Sequence, residues 1–161
     1  MTEPITCIPI GHVESQFTEY APSDEMRQQR SRVVVREDLV PGLMGLATGQ
    51  DILVLFHFHR ASGYELQLHP RHDPQRPLRG VFATRSQYRP NGIGATVARI
   101  VEVAGNVLTV TGLDAQDGSP VLDIKPYSGG FDTPGQVLCR LGLGDKEESQ
   151  SDFQQLSPSK G

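Results

Sequence analysis

Residues 97–111 have the sequence VARIVEVAGNVLTVT, and this stretch carries the clearest structural signal in the chain. Two β-branched runs flank the pair Gly105-Asn106, a pattern that is typical of a β-hairpin. A further run, DILVLFHFHR at residues 51–60, is the most hydrophobic of the chain and is too short for a buried helix. The sequence therefore predicts a sheet with residues 51–60 as its central strand.

Short strand-forming runs also occur elsewhere, and the chain contains 17 Gly and 12 Pro, which favour turns over long helices. Further strands are predicted at residues 8–15, 31–36 and 121–127. Residues 23–30 are predicted as a short helix or a loop, and residues 38–46 as one helical turn or an apolar loop. Residues 63–79 contain three prolines and are predicted to be an extended connection. These patterns predict an all-β fold, a single small β-barrel with short helical or loop insertions.

A length of 161 residues with 37% hydrophobic and 21% charged residues is typical of one globular domain. The barrel domain is predicted to cover residues 1–144, and the polar residues 145–161 are predicted to be a disordered tail. No run approaches the roughly 18 apolar residues of a membrane span, and no signal peptide is recognisable. We therefore expect a cytoplasmic protein without a membrane partner. Cys7 and Cys139 are predicted to be buried free thiols, with a disulfide or a nucleophilic thiol as the alternatives.

The charge of the chain is unevenly distributed along the sequence. The net charge is −4, which by itself argues against a nucleic-acid partner. Between Glu65 and Arg99, however, six arginines face two acids, whereas residues 114–152 hold eight acids and three basic residues. The basic middle fits a local anionic partner, and a solvated surface of mixed charge is the alternative.

Residues 79–96, RGVFATRSQYRPNGIGAT, are predicted to form a binding loop between two strands. The loop carries two arginines four residues apart, a proline that restricts the backbone, an asparagine and two glycines. These residues are Arg85, Arg89, Pro90, Asn91, Gly92 and Gly94. The guanidinium groups can clamp a phosphate or a carboxylate, and the asparagine amide can pair with an adenine edge. Because the glycines follow the arginines and lead into a strand, the loop is neither a Rossmann nor a P-loop cradle. A surface loop with stray arginines is the alternative.

Asp123 and Lys125 stand two residues apart on a predicted strand, so they point to the same face and can pair there. Such a pair can position a substrate or tune a proton acceptor. A structural salt bridge explains the spacing equally well.

The histidines suggest a metal site that the neighbouring residues do not complete. His57 and His59 lie on one face of the central strand, and His69 and His72 follow nearby. No acid or cysteine at matching spacing completes a ligand shell, so no metal is predicted. A pocket wall or core packing is the favoured role, and a metal-dependent hydrolase is the alternative. A serine hydrolase is excluded because the chain has no GxSxG elbow.

Taken in order, these motifs resemble the TsaA-like, or TrmO-like, family of β-barrel methyltransferases. The similar segments are IPIGHVESQF (8–17), LVLFHFH (53–59), GVFATRS (80–86), RPN (89–91), IG (93–94), LD (113–114) and DGSPVLDIKPY (117–127). The resemblance spans about residues 5 to 135.

The resemblance implies a homodimeric β-barrel with S-adenosylmethionine bound near the dimer interface. The implied activity is N6-methylation of the threonylcarbamoyl-adenosine next to the anticodon of certain tRNAs. By motif, the cofactor-binding residues would be Phe56, His57, Arg85, Arg89, Pro90, Asn91, Ile93, Gly94, Leu113 and Ile124. The candidate catalytic residues are Asp114, Asp123 and Lys125, with either aspartate a proton acceptor by residue type alone.

The chain departs from the family pattern at several positions. The family usually has proline at Gly92, serine at Thr96, threonine at Ser119 and proline at Gln16. Both Thr96 and Ser119 keep a hydroxyl, so we expect these changes to affect the choice of substrate more than cofactor binding. The alternatives are a methyltransferase with another acceptor and a non-catalytic module that binds S-adenosylmethionine.

Overall fold

The structure is a computed structural model that describes residues 2–143. Its strands are β1 (Gly11–Glu14), β2 (Arg30–Val35), β3 (Asp51–His57), β4 (Gln67–Leu68), β5 (Arg79–Gly80), β6 (Ile93–Ala104), β7 (Val107–Thr111) and β8 (Pro120–Pro126). Six of them form a closed antiparallel barrel in the order β1-β2-β7-β6-β3-β8, while β4 and β5 form a separate two-stranded sheet. The predicted all-β class and small barrel are confirmed.

The helices are short and lie between or after the strands. The α-helices are α1 (Ser23–Gln28), α2 (Gly129–Asp132) and α3 (Pro134–Arg140), and 3-10 helices cover Glu37–Leu43, Pro70–His72, Val81–Ala83 and Pro90–Gly92. In residues 2–143, no helix is long and apolar enough to cross a bilayer.

The chain divides into two compact units. The first ends at Pro126 and contains the barrel, and the second begins at Tyr127. Within the second unit, the Arg140 guanidinium donates to the carbonyl of Gly130 at 3.0 Å and lies 5.9 Å from the ring centre of Phe131. The predicted tail, residues 145–161, lies outside the described residues, and the division at residue 144 stays a prediction.

The core of the barrel follows from the alternation of side chains along the strands. In β3, Ile52, Val54 and Phe56 are buried, and the residues between them are half-buried on the other face. This strand pairs with β6 along one edge and with β8 along the other. The run predicted as the central strand therefore has a partner strand on both sides, as every strand of the closed barrel does.

The predicted hairpin at residues 97–111 is present as β6 and β7. Gly105 takes a φ of +61° at its turn, which favours glycine. The side-chain amide of Asn106 donates to the carbonyl of Val35 at 2.8 Å, and the backbone N–H of Val35 donates to the Asn106 carbonyl at 2.8 Å. The turn is thereby joined to β2 as well as to its own strands.

The prediction that both cysteines are buried is wrong. Cys7 and Cys139 are free thiols, as expected, but both are exposed. Cys7 lies in the segment before β1, where the neighbouring Ile5 and Ile8 are also exposed, and α3 around Cys139 has no buried residue. The apolar character of cysteine did not decide its place, because neither segment contributes to the core.

Gly94 is required by close packing inside the barrel. It lies directly opposite Phe56 in the β3–β6 register, and the aromatic ring covers it. A Cβ atom at this position would lie 2.5 Å from Cζ and 2.6 Å from Cε2 of Phe56, far closer than carbon atoms approach without strain.

We expect Gly94→Ala to lower the free energy of unfolding by about 1–3 kcal/mol, because the ring must move. Chemical denaturation measures the loss, and the same substitution in a Phe56→Leu background is expected to cost less than half as much. Gly42→Ala is the control, since a Cβ there has nothing within 4 Å. An equal loss in both backgrounds would show that the ring is not the cause.

Candidate ligand-binding site

A cavity of about 590 Å³ lies beside the barrel. Its walls come from residues 20–26, which include the start of α1, from residues 68–79 and from residues 83–87. Phe58, Asp114, Gln116 and Ser119 complete the lining. The volume is in the range of roughly 300–1,000 Å³ that is usual for small-molecule sites.

Asp114 joins the barrel to one wall of this cavity. The Thr96 hydroxyl, which is buried in β6, donates to Asp114 Oδ1 at 2.6 Å, and the Ser23 hydroxyl donates to Oδ2 at 2.5 Å. Hydrogen bonds to a charged acceptor are about twice as strong as neutral ones. The carboxylate therefore holds α1, which begins at Ser23, against the barrel.

A second pair of contacts fixes the same helix. The Arg27 side chain donates through Nε to the Gly112 carbonyl at 3.0 Å, and the Gly112 N–H donates to the Arg27 carbonyl at 3.0 Å. The helix has only six residues and could not persist by itself in water. Its place in the cavity wall thus depends on these anchors and on the buried Met26.

The two arginines of the predicted binding loop have different environments. Arg89 donates through Nη1 to the carbonyls of Thr84 at 3.0 Å and Ser86 at 3.5 Å, so it braces the loop from within. Arg85 is exposed and lines the cavity, and within residues 2–143 it makes no ion pair or side-chain hydrogen bond. Arg85 is therefore the arginine that is available to a ligand.

The turn after Arg89 has an unusual backbone. Asn91 takes a φ of +68° and Gly92 a φ of +56°, and the Gly92 carbonyl accepts a hydrogen bond from the Phe58 N–H at 2.8 Å. Proline, which the related family usually has at Gly92, is confined to a φ near −65°. Gly92 therefore gives this turn a conformation that proline cannot adopt.

Most of the other predicted site residues lie away from the cavity. Phe56 and Leu113 are core residues, and Ile93 begins β6 in a partly exposed position. His57 ends β3 beside the Pro90–Gly92 turn. Of the predicted site residues, Arg85 and Asp114 are the two that line the cavity.

Asp123, Ile124 and Lys125 lie elsewhere on the barrel. The Asp123 carboxylate and the Lys125 ammonium are 2.7 Å apart, so the pair expected from their spacing is present, with both side chains partly exposed. Asp123 and Ile124 line a second cavity of about 580 Å³ together with residues of the 3-10 helix Glu37–Leu43. The structure does not bring these residues together with Arg85 and Asp114.

The histidines do not assemble a metal centre among the described residues. In residues 2–143, no group of three or more His, Cys, Asp or Glu side chains could hold a metal ion. Burial, with the nearby charges of Arg60 and His57, lowers the pKa of His59. The Arg60 guanidinium donates to Nε2 of His59 at 3.3 Å, which requires the neutral imidazole that a lowered pKa favours.

Several cavity residues were not singled out from the sequence. Ser23, Met26 and Gln116 belong to no motif with a chemical spacing, while Phe58 and Ser119 lie in segments that resemble the family but were given no role in the site. A motif search finds residues that are close in sequence, whereas Ser23 and Asp114 are 91 residues apart. Phe58 had one available signal, because it continues the apolar run of β3 past the end of the strand.

The fold and the cavity define a class of small antiparallel β-barrels whose loops enclose a ligand-sized space. Within that class, the family described as the tRNA-methyltransferase O N-terminal domain matches residues 12–133, and the chain belongs to this family.

Three similar proteins place the chain within the family. A protein of Archaeoglobus fulgidus named "Probable S-adenosyl-L-methionine-binding protein" is 36% identical over 151 residues, which cover 91% of this chain and 40% of that protein. The mouse (Mus musculus) tRNA (adenine(37)-N6)-methyltransferase is 38% identical over 138 residues, covering 78% of this chain and 31% of the mouse protein. The crystal structure of TrmO from Pseudomonas aeruginosa superposes with a TM-score of 0.63 at 34% identity and covers 81% of this chain and 58% of that one. The chain thus spans 31% to 58% of the length of these relatives.

The different environments of the two arginines predict different mutant effects. Arg89→Ala is expected to leave two loop carbonyls without their donor and to lower the free energy of unfolding by about 1–2 kcal/mol. Arg85→Ala is the matched control and is expected to change stability by less than about 0.5 kcal/mol, because it breaks no ion pair or side-chain hydrogen bond among residues 2–143. Thermal denaturation compares the stability of the two variants. Equal losses of stability would contradict the conclusion that Arg89 braces the loop and Arg85 does not.

The turn at Gly92 gives a second prediction. Gly92→Ala is expected to cost about 1 kcal/mol for its positive φ, and more because the new Cβ would lie 3.3 Å from Nε2 of His57. Gly105→Ala separates the cost of the positive φ from the cost of the close contact, since Gly105 has a φ of +61° and an added Cβ would have nothing within 4 Å. Gly92→Pro is expected to be the most destabilising of the three in denaturant unfolding. A neutral Gly92→Pro would show that the turn adopts another conformation in solution.

Proposed function

We propose that the chain is an S-adenosylmethionine-dependent methyltransferase that methylates N6 of the threonylcarbamoyl-adenosine at position 37 of tRNA. The observation that carries the proposal is the cavity, in which the guanidinium of Arg85 and the carboxylate of Asp114 face a space that a cofactor can enter. Membership of the family over residues 12–133 supports it. The activity named for the mouse relative supports the choice of acceptor.

The donor set of the cavity fits S-adenosylmethionine. The cofactor carries a carboxylate, an ammonium group, a sulfonium centre and an adenine ring. Arg85 is suited to the carboxylate, while Asp114 and Ser119 offer oxygen atoms to cationic or hydroxyl groups. Met26 and Phe58 supply the apolar surface that a planar ring requires.

Methyl transfer requires alignment of the reactants and exclusion of water more than activation by the protein. When bound, S-adenosylmethionine supplies an electrophilic methyl group on its sulfonium centre. The anchored wall of α1 and the loop braced by Arg89 keep the cavity in one shape, which limits how reactants can be oriented. The chain's own contribution is therefore chiefly positional.

The acceptor nitrogen loses one proton when it gains the methyl group, and Asp114 is our candidate for the group that receives it. Its two oxygens already accept the hydroxyls of Thr96 and Ser23, but each carboxylate oxygen keeps a further lone pair. Asp123 and Lys125 line no part of this cavity. The proposal gives them no role in the transfer step.

A second function is favoured by one relative. The Archaeoglobus fulgidus protein is named for binding S-adenosylmethionine and for nothing further, and its similarity covers 91% of this chain. In this alternative the chain binds the cofactor in the same cavity and transfers no methyl group.

We also propose a homodimer and a cytoplasmic location. The large apolar side chains of Leu66, Leu78 and Phe82, around β4 and β5, are exposed and would be covered by a second copy. A tRNA substrate favours the cytoplasm. Light scattering coupled to size-exclusion chromatography measures the oligomeric state, and a monomer at micromolar concentration would overturn the dimer.

The test of function is transfer of a labelled methyl group from S-adenosylmethionine to tRNA. We expect transfer to tRNA that carries threonylcarbamoyl-adenosine at position 37 and none to the same tRNA without this modification. Arg85→Ala is expected to weaken cofactor binding by about tenfold or more, since it removes a charge-assisted contact. Calorimetry measures this effect, with Arg99→Ala on the outside of the barrel as the control.

The outcomes separate the two functions. Cofactor binding without transfer to either tRNA would support the binding module and exclude the methyltransferase. Absence of cofactor binding by the wild-type chain would exclude both.

A further inference from the structure

The mouth of the cavity is strongly basic. Five basic side chains line it, four from the turn between β4 and β5 and one from the start of β5, and we call this group the basic rim. The basic rim consists of His69, Arg71, His72, Arg76 and Arg79. Two of its arginines each share one exposed acid, because Asp24 is 3.8 Å from Arg71 and Asp73 is 3.4 Å from Arg76. Among residues 2–143, Arg79 has no acidic partner at all.

The backbone of this turn is held in a costly conformation. Arg71 has a φ of +58° and His72 a φ of +55°, and consecutive non-glycine residues rarely adopt this region. The His72 N–H donates to the His69 carbonyl at 3.0 Å, and Nδ1–H of His69 donates to the Arg76 carbonyl at 2.6 Å. The His72 ring also packs edge-on against Tyr88 at 5.9 Å. These contacts keep the side chains of Arg71 and His72 at the cavity in spite of the strain.

Beside Arg85, the basic rim offers the unpaired guanidinium of Arg79 and those of Arg71 and Arg76, which each share one exposed aspartate. S-adenosylmethionine has a single carboxylate, and Arg85 is available for it. The rim is therefore available to a second anionic ligand at the same cavity. Its guanidinium groups suit phosphate, which they bind through paired N–H donors.

An aromatic side chain at the same opening indicates what kind of phosphate ligand this is. Tyr20 lines the cavity and is 70% exposed, so its ring is free to stack. Proteins that bind unpaired RNA combine cationic grooves for the backbone with exposed aromatic rings on which bases stack. An acidic peptide would use the charges but would have no need for the ring.

We propose that the basic rim binds the phosphates flanking the acceptor nucleotide of an unpaired RNA loop, and that Tyr20 stacks on one of its bases. This proposal rests on the proposed function, because it takes the RNA to be the methyl acceptor. It adds the residues that position the RNA and separates them from Arg85 and Asp114.

The test compares Arg71→Gln, Arg79→Gln and Tyr20→Ala with wild type and with Arg99→Gln. The control removes a guanidinium that pairs with Asp51 at 2.7 Å and does not line the cavity. Binding of an anticodon stem-loop that carries threonylcarbamoyl-adenosine is measured at several salt concentrations. The affinity for S-adenosylmethionine and the kcat and KM of transfer are measured on the same samples.

Each rim arginine variant is expected to reduce the slope of log affinity against log salt by about 0.7, the value for one phosphate contact on a single strand. KM for the RNA is expected to rise at least fivefold, while kcat and cofactor affinity stay within twofold of wild type. Tyr20→Ala is expected to weaken RNA binding at least fivefold without changing the salt slope. Arg99→Gln should leave the RNA affinity, its salt slope, the cofactor affinity, kcat and KM unchanged.

Unchanged RNA affinity and slope in both arginine variants would overturn the proposal, and so would a wild-type chain that binds no RNA. If wild type transfers the methyl group while the rim variants behave like Arg99→Gln, the proposed function stands and the rim assignment fails. If polyglutamate binds as tightly as the stem-loop and Tyr20→Ala has no effect, the rim fits an acidic protein and the RNA assignment is wrong.

Discussion

The carboxylate of Asp114 is the point on which the cavity depends. It receives one hydroxyl from Thr96 in the barrel wall and another from Ser23 at the start of α1, at 2.6 and 2.5 Å. This junction acts together with the Arg27–Gly112 hydrogen bonds and the buried Met26 to keep a helix of six residues in place, because short helices are marginal in water. The barrel is rigid, and the hydrogen bonds of Asp114 fix α1 to it. The six residues of α1 could not hold this wall of the cavity in place by themselves.

Two kinds of glycine shape the neighbouring loop, and they do so for different physical reasons. Gly94 has an ordinary strand backbone and is needed because the Phe56 ring occupies the space of a side chain. Gly92 is needed for its positive φ, which turns the chain after Arg89. Packing against Phe56 therefore fixes the loop at Gly94, and the backbone conformation fixes it at Gly92.

Much of the fold could be predicted because its signals are local. The hairpin around Gly105-Asn106 and the alternation of buried and half-buried side chains along β3 depend on residues that are neighbours in the sequence. Together they were enough to indicate a small barrel. The site was less predictable, since Ser23 and Asp114 meet across 91 residues and no spacing rule connects them. Arg85 and Arg89 have the same chemistry and differ only in which carbonyls lie within reach. The burial of Cys7 and Cys139 was predicted wrongly because residue type says little about segments outside the core.

The pairing of charges explains how a chain with a net charge of −4 can present a basic cavity. On the outside of the barrel, several arginines are neutralised by close acids. These pairs are Arg32 with Glu14, Arg36 with Asp38 and Arg99 with Asp51. At the cavity, Arg71 and Arg76 pair with Asp24 and Asp73 at 3.8 and 3.4 Å, while Arg79 and Arg85 have no such partner among the described residues. Because salt screens exposed charges beyond about 10 Å, an approaching anion responds to these local groups and not to the total. The unpaired arginines, and not the composition, therefore determine where a phosphate or a carboxylate would bind.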